Sequence, residues 1–252
     1  MKILVAVVII ILILISYLFY EYQRSLHLIA IGEAMAAATV PFSRTAAPST
    51  SPIPGGELRI AMVGDSTGVG TGASVAEFSI AGLTAAKYPS ASLVNVAVNG
   101  AKTNEALAQL AKLDGHFNLI LIDVGGNDNV RFTNYDELSS SIKQVLAAAV
   151  AKSDHVLLTT TGNVGTVPLL PWFSRFIFAH RSRVIRQLFI DVVAATNGDV
   201  RYTDLYRDPS IDPFALEPKK YYARDLFHPS DAGYADWFYF INQQLDEFHL
   251  VQ

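Results

Sequence analysis

The chain has 252 residues, 51% of them hydrophobic and 17% charged, with a formal net charge of -4 and no cysteine. That length allows one domain with a sizeable core once a terminal segment is set aside. The charge excludes a broad basic face for DNA or RNA, and the lack of cysteine excludes disulfides, thiolate nucleophiles and cysteine metal sites.

The first element is a membrane signal. Residues Ile3 to Tyr20 carry no charge, and as a helix they would span roughly 27 Å, close to the hydrocarbon thickness of a bilayer. A cleaved signal peptide has a shorter apolar core followed closely by small residues. Here Tyr17-Leu18-Phe19-Tyr20-Glu21-Tyr22 occupies that place, and the nearest small-x-small triplet is Ala34-Met35-Ala36. An uncleaved anchor over residues 1–24 is therefore expected. Lys2 lies on one flank and Glu21, Arg24 and Glu33 nearly cancel on the other, which favours a cytoplasmic N-terminus and a domain outside, periplasmic or at the cell surface.

Residues 25–56 read as a linker. From Ala36 to Gly56 the chain is rich in Ala, Pro, Ser and Thr, with Pro41, Pro48, Pro52, Pro54 and Gly55-Gly56, a composition that buries too little apolar area to offset its ordering entropy. The alternative is an extended arm along the domain surface, with Val40 and Phe42 as its apolar contacts.

Residues 57–252 alternate apolar runs with helical patterns. Strands are expected at Leu58–Val63, Ala91–Val98, Leu119–Val124, His155–Thr160 and Val200–Leu205. Helices are expected at Ser74–Lys87, Thr103–Leu113, Tyr135–Lys152 and Phe173–Thr196, with a last one after Pro229. Near-continuous apolar strands separated by helices imply a five-stranded parallel sheet covered on both faces, a three-layer α/β/α sandwich. Ligands of such sheets sit outside the carboxyl ends of the strands. Gly64-Asp65-Ser66, Asn99-Gly100 and Gly125-Gly126-Asn127-Asp128 all follow strands at that edge.

Within residues 168–183 the apolar residues Phe173, Phe176 and Ile177, continued by Val184 and Leu188, follow helical spacing beside Arg175, Arg181, Arg183 and Arg186. Two readings stand: a surface that leans on anionic lipid or lines an acyl pocket, or a covering helix with a solvated basic face.

Ser66 follows a strand and precedes Gly68, Gly70 and Gly72, so its hydroxyl can stand exposed with backbone amides nearby. A serine needs a base. His228 sits three residues after Asp225 and before a helix start with Ser230 and Asp231 as possible caps, so one turn can hold the imidazole and the carboxylate that fixes its tautomer. His27, His116, His155, His180 and His249 have no acidic partner at a similarly useful spacing, and surface or packing roles are expected for them. The amides of Ser66 and Gly100 and the side chain of Asn127 could stabilise an oxyanion. Tyr221 and Tyr222 could border the site.

These motifs resemble the four blocks of the SGNH hydrolases, also called GDSL lipases and esterases: Gly64-Asp65-Ser66, Gly100, Gly125-Gly126-Asn127-Asp128 and Asp225-Leu226-Phe227-His228. The resemblance covers residues 58–240 and implies the flavodoxin-like fold of that family. It further implies Ser66 as nucleophile, His228 as general base then acid, Asp225 as its orienter, and Ser66, Gly100 and Asn127 as the oxyanion hole. Thr67 departs from the leucine of the family's common name.

Gly64-Asp65-Ser66-Thr67-Gly68 also satisfies the G-x-S-x-G elbow of α/β-hydrolases, but that elbow follows several strands and this one closes the first. Gly68, Gly70 and Gly72 miss the third glycine of a dinucleotide loop, and no Lys-Ser or Lys-Thr of a phosphate loop follows. No cofactor is expected, and no metal, since no cluster outside the Asp225 turn has ligand spacing. The expected activity is hydrolysis of acyl esters of small molecules, lipids or glycans through an acyl-enzyme, at a membrane. An idle module binding acylated polymer and an acyltransferase with the same triad are the alternatives.

Overall fold

The computed structural model describes residues 1–45 and 57–250. Strands β1 (Arg59–Gly64), β2 (Ser92–Asn95), β3 (Phe117–Asp123), β4 (Ser153–Thr159) and β5 (Asp199–Thr203) form one parallel sheet in the order β2-β1-β3-β4-β5. The helices are α1 (Lys2–Ala38), α2 (Ser66–Val69), α3 (Ile80–Lys87), α4 (Ala106–Leu110), α5 (Gly126–Val130), α6 (Tyr135–Val150), α7 (Arg175–Ala194), α8 (Pro213–Leu216), α9 (Pro218–Tyr221) and α10 (Asp231–Glu247).

Alternation along the strands feeds two cores. Ile60, Met62, Leu119 and Leu121 pack with α3 and α10, whereas Ala61, Val63, Ile120 and Ile122 pack with α4, α6 and α7. Burial on both faces explains why the strands read as unbroken apolar runs. Truncating one such side chain, as in Ile120→Ala, would cost about 2–5 kcal/mol. Helix α10 starts where Ser230 accepts from the Gly233 N–H, and buries Tyr234, Trp237, Ile241 and Leu245 at helical spacing.

Three boundaries differ from the sequence expectation. The second strand stops at Asn95 rather than Val98, because the Asn95 side chain accepts from the Ala97 N–H and turns the chain, though Val96 and Val98 still donate to β1 carbonyls. The expected Ser74–Lys87 helix is split: a 3-10 turn at Ala76–Phe78 ends at Ser79, whose extended backbone and side chain cap α3. Thr103–Leu113 is likewise a 3-10 turn followed by the short α4.

The largest correction concerns residues 25–56. Helix α1 runs without a break from the apolar segment through Ala38, since this stretch has no proline and ends in strong helix formers. Its second half lies on the domain: Arg24 donates to the Pro168 carbonyl at 2.8 Å, Ser25 to Leu169 at 3.2 Å, and the Ala36 carbonyl accepts from Asn99 at 3.0 Å. Over residues 40–45 the chain is the extended arm. Phe42 packs on the core, and Arg44 pairs antiparallel with Leu93 and donates to the carbonyls of Ala85, Tyr88 and Ala91. That pairing covers part of the open edge of β2. Pro48 to Gly56 lie outside the described residues.

Candidate active site

From β1 the chain turns to β2 on one side while β3 continues the sheet on the other, so the crevice between the ends of β1 and β3 is the switch point of this topology. Ser66 leaves β1 there and Asn127 leaves β3. Asp65 caps α2 by accepting from the Thr67 N–H at 2.9 Å, which sets Ser66 on the first turn of that helix. Gly72 then carries the turn under the histidine loop: its φ is 105°, and a Cβ there would lie 2.3 Å from the Pro229 carbonyl, which only glycine tolerates.

Ser66, His228 and Asp225 form one hydrogen-bonded chain. His228 Nε2 is 2.9 Å from Ser66 Oγ, and Nδ1 is 2.5 Å from Asp225 Oδ2. The other oxygen of Asp225 accepts from the N–H groups of Phe227 and His228 at 3.1 Å. The turn closes with Leu226 at a φ of 57°, a strained conformation for leucine. Burial by itself would raise the Asp225 carboxyl. The His228 hydrogen bond and charge and the two backbone donors outweigh it and hold the group below its ordinary range.

The three oxyanion candidates all line one cavity of about 560 Å³ together with His228. Gly100 has a φ of 75°, and among the described residues the N–H groups of Ser66 and Gly100 have no protein acceptor. Asn127 differs from the expectation of a free amide, since its two N–H bonds reach Ala101 O at 3.1 Å and Asp65 Oδ2 at 3.3 Å. A smaller cavity of about 50 Å³ also opens at Ser66 and is lined by Asn163, Thr166, Arg207, Asp212 and Tyr222, while the Tyr222 hydroxyl meets Thr166 at 3.0 Å.

Beneath the nucleophile lies a group the motifs did not reveal. The Thr67 hydroxyl is 2.8 Å from Asp65 Oδ1 and 2.7 Å from Asp123 Oδ2. A hydroxyl has one proton, so it donates to one oxygen and accepts from the other, and one carboxyl must be protonated. Asp123 is fully buried and its Oδ1 has no partner. Burial, then the charge of Asp65, push it well above the usual carboxylate range; Asp65 is itself raised, chiefly by burial. Asp123 is the carboxyl held toward its protonated form, which leaves the Thr67 hydroxyl to donate its hydrogen bond to Asp65. The one signal in sequence was an aspartate ending an otherwise apolar strand.

Two further residues brace the loops. Asp128 accepts from the Thr103 N–H and hydroxyl at 2.9 and 2.7 Å, tying the turn after Gly100 to α5. Arg181, only 8% exposed, donates to the carbonyls of Asp128, Asn129 and Thr133. With Arg175 bound to the Leu170 carbonyl and Arg186 to Asp204, α7 is a covering helix whose arginines are largely consumed inside the domain. His116 and His155 have acidic partners far away in sequence, Asp154 at 2.8 Å and Asp199 at 2.7 Å. Those partners come from other segments of the chain, so linear spacing hid them.

A hydroxyl, imidazole and carboxylate in series at the switch point of a doubly wound parallel sheet define the serine hydrolase layout. Residues 62–235 match the GDSL-like Lipase/Acylhydrolase family, and the chain belongs to that family of ester-hydrolysing enzymes. Solved structures agree in fold. The extracellular lipase of Streptomyces rimosus is 17% identical, with 74% of this chain and 99% of that one covered at a TM-score of 0.57. The esterase EstA of Pseudoalteromonas sp., inhibited by monoethylphosphonate, is 16% identical over 76% and 98% at 0.55. The phospholipase A1 of Streptomyces albidoflavus NA297 is 18% identical over 74% and 99% at 0.56. No curated protein matches the chain in sequence.

Proposed function

We propose that this chain is a serine esterase that cleaves acyl esters through an acyl-enzyme while anchored in a membrane by α1. The observation that carries the reading is the unbroken chain Ser66 Oγ, His228 Nε2, His228 Nδ1, Asp225 Oδ2. Ser66 Oγ attacks the ester carbonyl carbon as its proton passes to Nε2, and the carbonyl electron pair moves onto oxygen. The N–H groups of Ser66 and Gly100 and the Asn127 amide serve that oxyanion, Asn127 by giving up its long contact to Asp65. The tetrahedral adduct expels the alcohol, which takes the proton from Nε2. Water, deprotonated by His228, then attacks the acyl-serine, and the acid is released as Ser66 Oγ takes the proton back from Nε2. Asp225 stays ionised and stabilises the imidazolium.

Residues 57–252 are the proposed hydrolase domain. The anchoring role of α1 rests on its most apolar 18-residue window, with a mean hydropathy of 3.1 and no burial against the domain, and Lys2 at its start favours an extracytoplasmic domain. Full-length protein in detergent, assayed on nitrophenyl esters of increasing acyl length beside Ser66→Ala, tests the reading. Serine-dependent turnover supports it, and a folded wild-type protein inert at every length refutes it.

A further inference from the structure

The same helix that would cross the membrane also walls the active site. Along α1 the residues turned to the domain are Glu21, Arg24, Ser25, Leu28, Gly32 and Met35, a stripe at helical spacing, with Leu28 and Gly32 buried. Gly32 lies against the triad carboxylate: a Cβ there would stand 3.0 Å from Asp225 Oδ2. Leu28, Ile29, Gly32 and Ala36 line the 560 Å³ cavity that opens onto Ser66 and His228, facing Leu169, Leu170 and Phe178. Apart from the reacting groups, Glu33, Asn99 and Arg131 are the polar side chains on this lining, and the wall along Leu28, Ile29, Leu169, Leu170 and Phe178 is apolar.

The opposite wall is tied to the helix just beyond its apolar segment. Arg24 and Ser25 hold the carbonyls of Pro168 and Leu169, while the Leu169 N–H donates to the Leu226 carbonyl in the triad turn. Trp172 lies against the Tyr17 hydroxyl near the end of the apolar run. Beside it Phe173, Phe176 and Ile177 are exposed. Aromatic side chains at that height are the ordinary furniture of a membrane interface.

We infer that the second half of α1 is part of the acyl-binding site, so that the helix anchoring the enzyme also guides the acyl chain of a lipid ester from the adjoining leaflet to Ser66. From Tyr20 to Gly32 the helix rises about 18 Å, and a chain filling one leaflet is about 15 Å long, half the hydrocarbon core. A lipid with its ester at Ser66 and its chain along Leu28 and Ile29 spans most of that distance, pointing back toward the aromatic patch. This rests on the esterase reading and names its substrate class and the residues that select it.

The test uses full-length protein in lipid nanodiscs and two nitrophenyl phosphonates, one with an ethyl and one with a dodecyl chain, reading the rate of labelling at Ser66 by mass spectrometry. Ile29→Trp, which fills the groove, should lower the dodecyl-to-ethyl rate ratio by about tenfold, the effect of excluding roughly two methylenes from an apolar pocket. Leu28→Ala, which strips apolar wall from the groove, should also lower the dodecyl-to-ethyl ratio, and it carries the test if the tryptophan variant does not fold, an unchanged ratio there overturning the inference. Tyr22→Trp, on the exposed face of the helix, should leave the ratio unchanged. If Ile29→Trp keeps the wild-type ratio, whether or not both rates fall, the inference is overturned and the esterase reading stands. If folded wild-type protein takes neither phosphonate at Ser66, the esterase reading falls and the inference with it.

Discussion

Among the described residues three histidines face an aspartate, and only one of those pairs stands beside a nucleophile. His228 and Asp225 are 10% and 1% exposed in their side chains, against 25% and 41% for His155 with Asp199 and 58% and 50% for His116 with Asp154. The latter two pairs join early strand residues and a loop at the amino ends of the strands, away from the switch point. A histidine and a carboxylate are therefore not a site in themselves. Burial, a hydroxyl on the second ring nitrogen and an adjoining cavity make the difference.

Removing the reacting groups is the harshest way to break this comparison. Ser66→Ala and His228→Ala should each lower kcat on a nitrophenyl ester by about 10⁴-fold or more, with Asp225→Ala less severe because it orients the base. His155→Ala and His116→Ala should stay near the wild-type rate. Equal losses in all the histidine variants, measured at matched folded fraction, would erase the distinction. Next in size, Asn127→Ala should cost about 10²–10³-fold in kcat if its amide turns from Asp65 to the oxyanion; a loss confined to KM would contradict that role.

The carboxylates sharpen it further through stability. Asp225 is held low, so its contribution to stability is present above the ordinary carboxylate range and is lost as pH falls through it. Asp123 is held high, so the folded protein keeps a proton that the unfolded chain releases, and stability falls as pH rises above the ordinary carboxylate range. Asp123→Asn can donate to Thr67 without a bound proton. Its Tm should exceed the wild type's by a few degrees, about 2–4 °C per kcal/mol, at pH 8 and match it in acid. Melting curves that keep the same spacing at every pH would rule out the proton on Asp123. The smallest effect is expected at the exposed pair, where Asp154→Asn should change stability by about 0–1 kcal/mol.

Much of the fold was legible because it rests on local pattern. The five strands fall where Val, Ile and Leu runs end in glycine-rich or polar turns, and Ser230 marks the start of α10. The gathering of Ser66, Gly100, Asn127, Asp225 and His228 at one cavity was legible too, since each candidate follows a strand or sits in a short turn whose chemistry is written within a few residues. The breaks at Ser79 and Asn95 were not, because a single side-chain acceptor there overrides the apolar periodicity.

What the sequence by itself determined is the order of strands and helices, the apolar segment at the N-terminus and the residue types of the site, all of which depend on neighbours in the chain. Tertiary structure alone decided the rest. Residues 25–56 read as a linker, yet Gly32 rests on Asp225, nearly two hundred positions away. The hydrogen bonds of Thr67 with Asp123 and Asp65, and the grip of Arg181 on the carbonyls after Asn127, likewise join residues from separate elements. Such contacts form only when packing has removed water from both partners, and no local pattern encodes that loss of solvent.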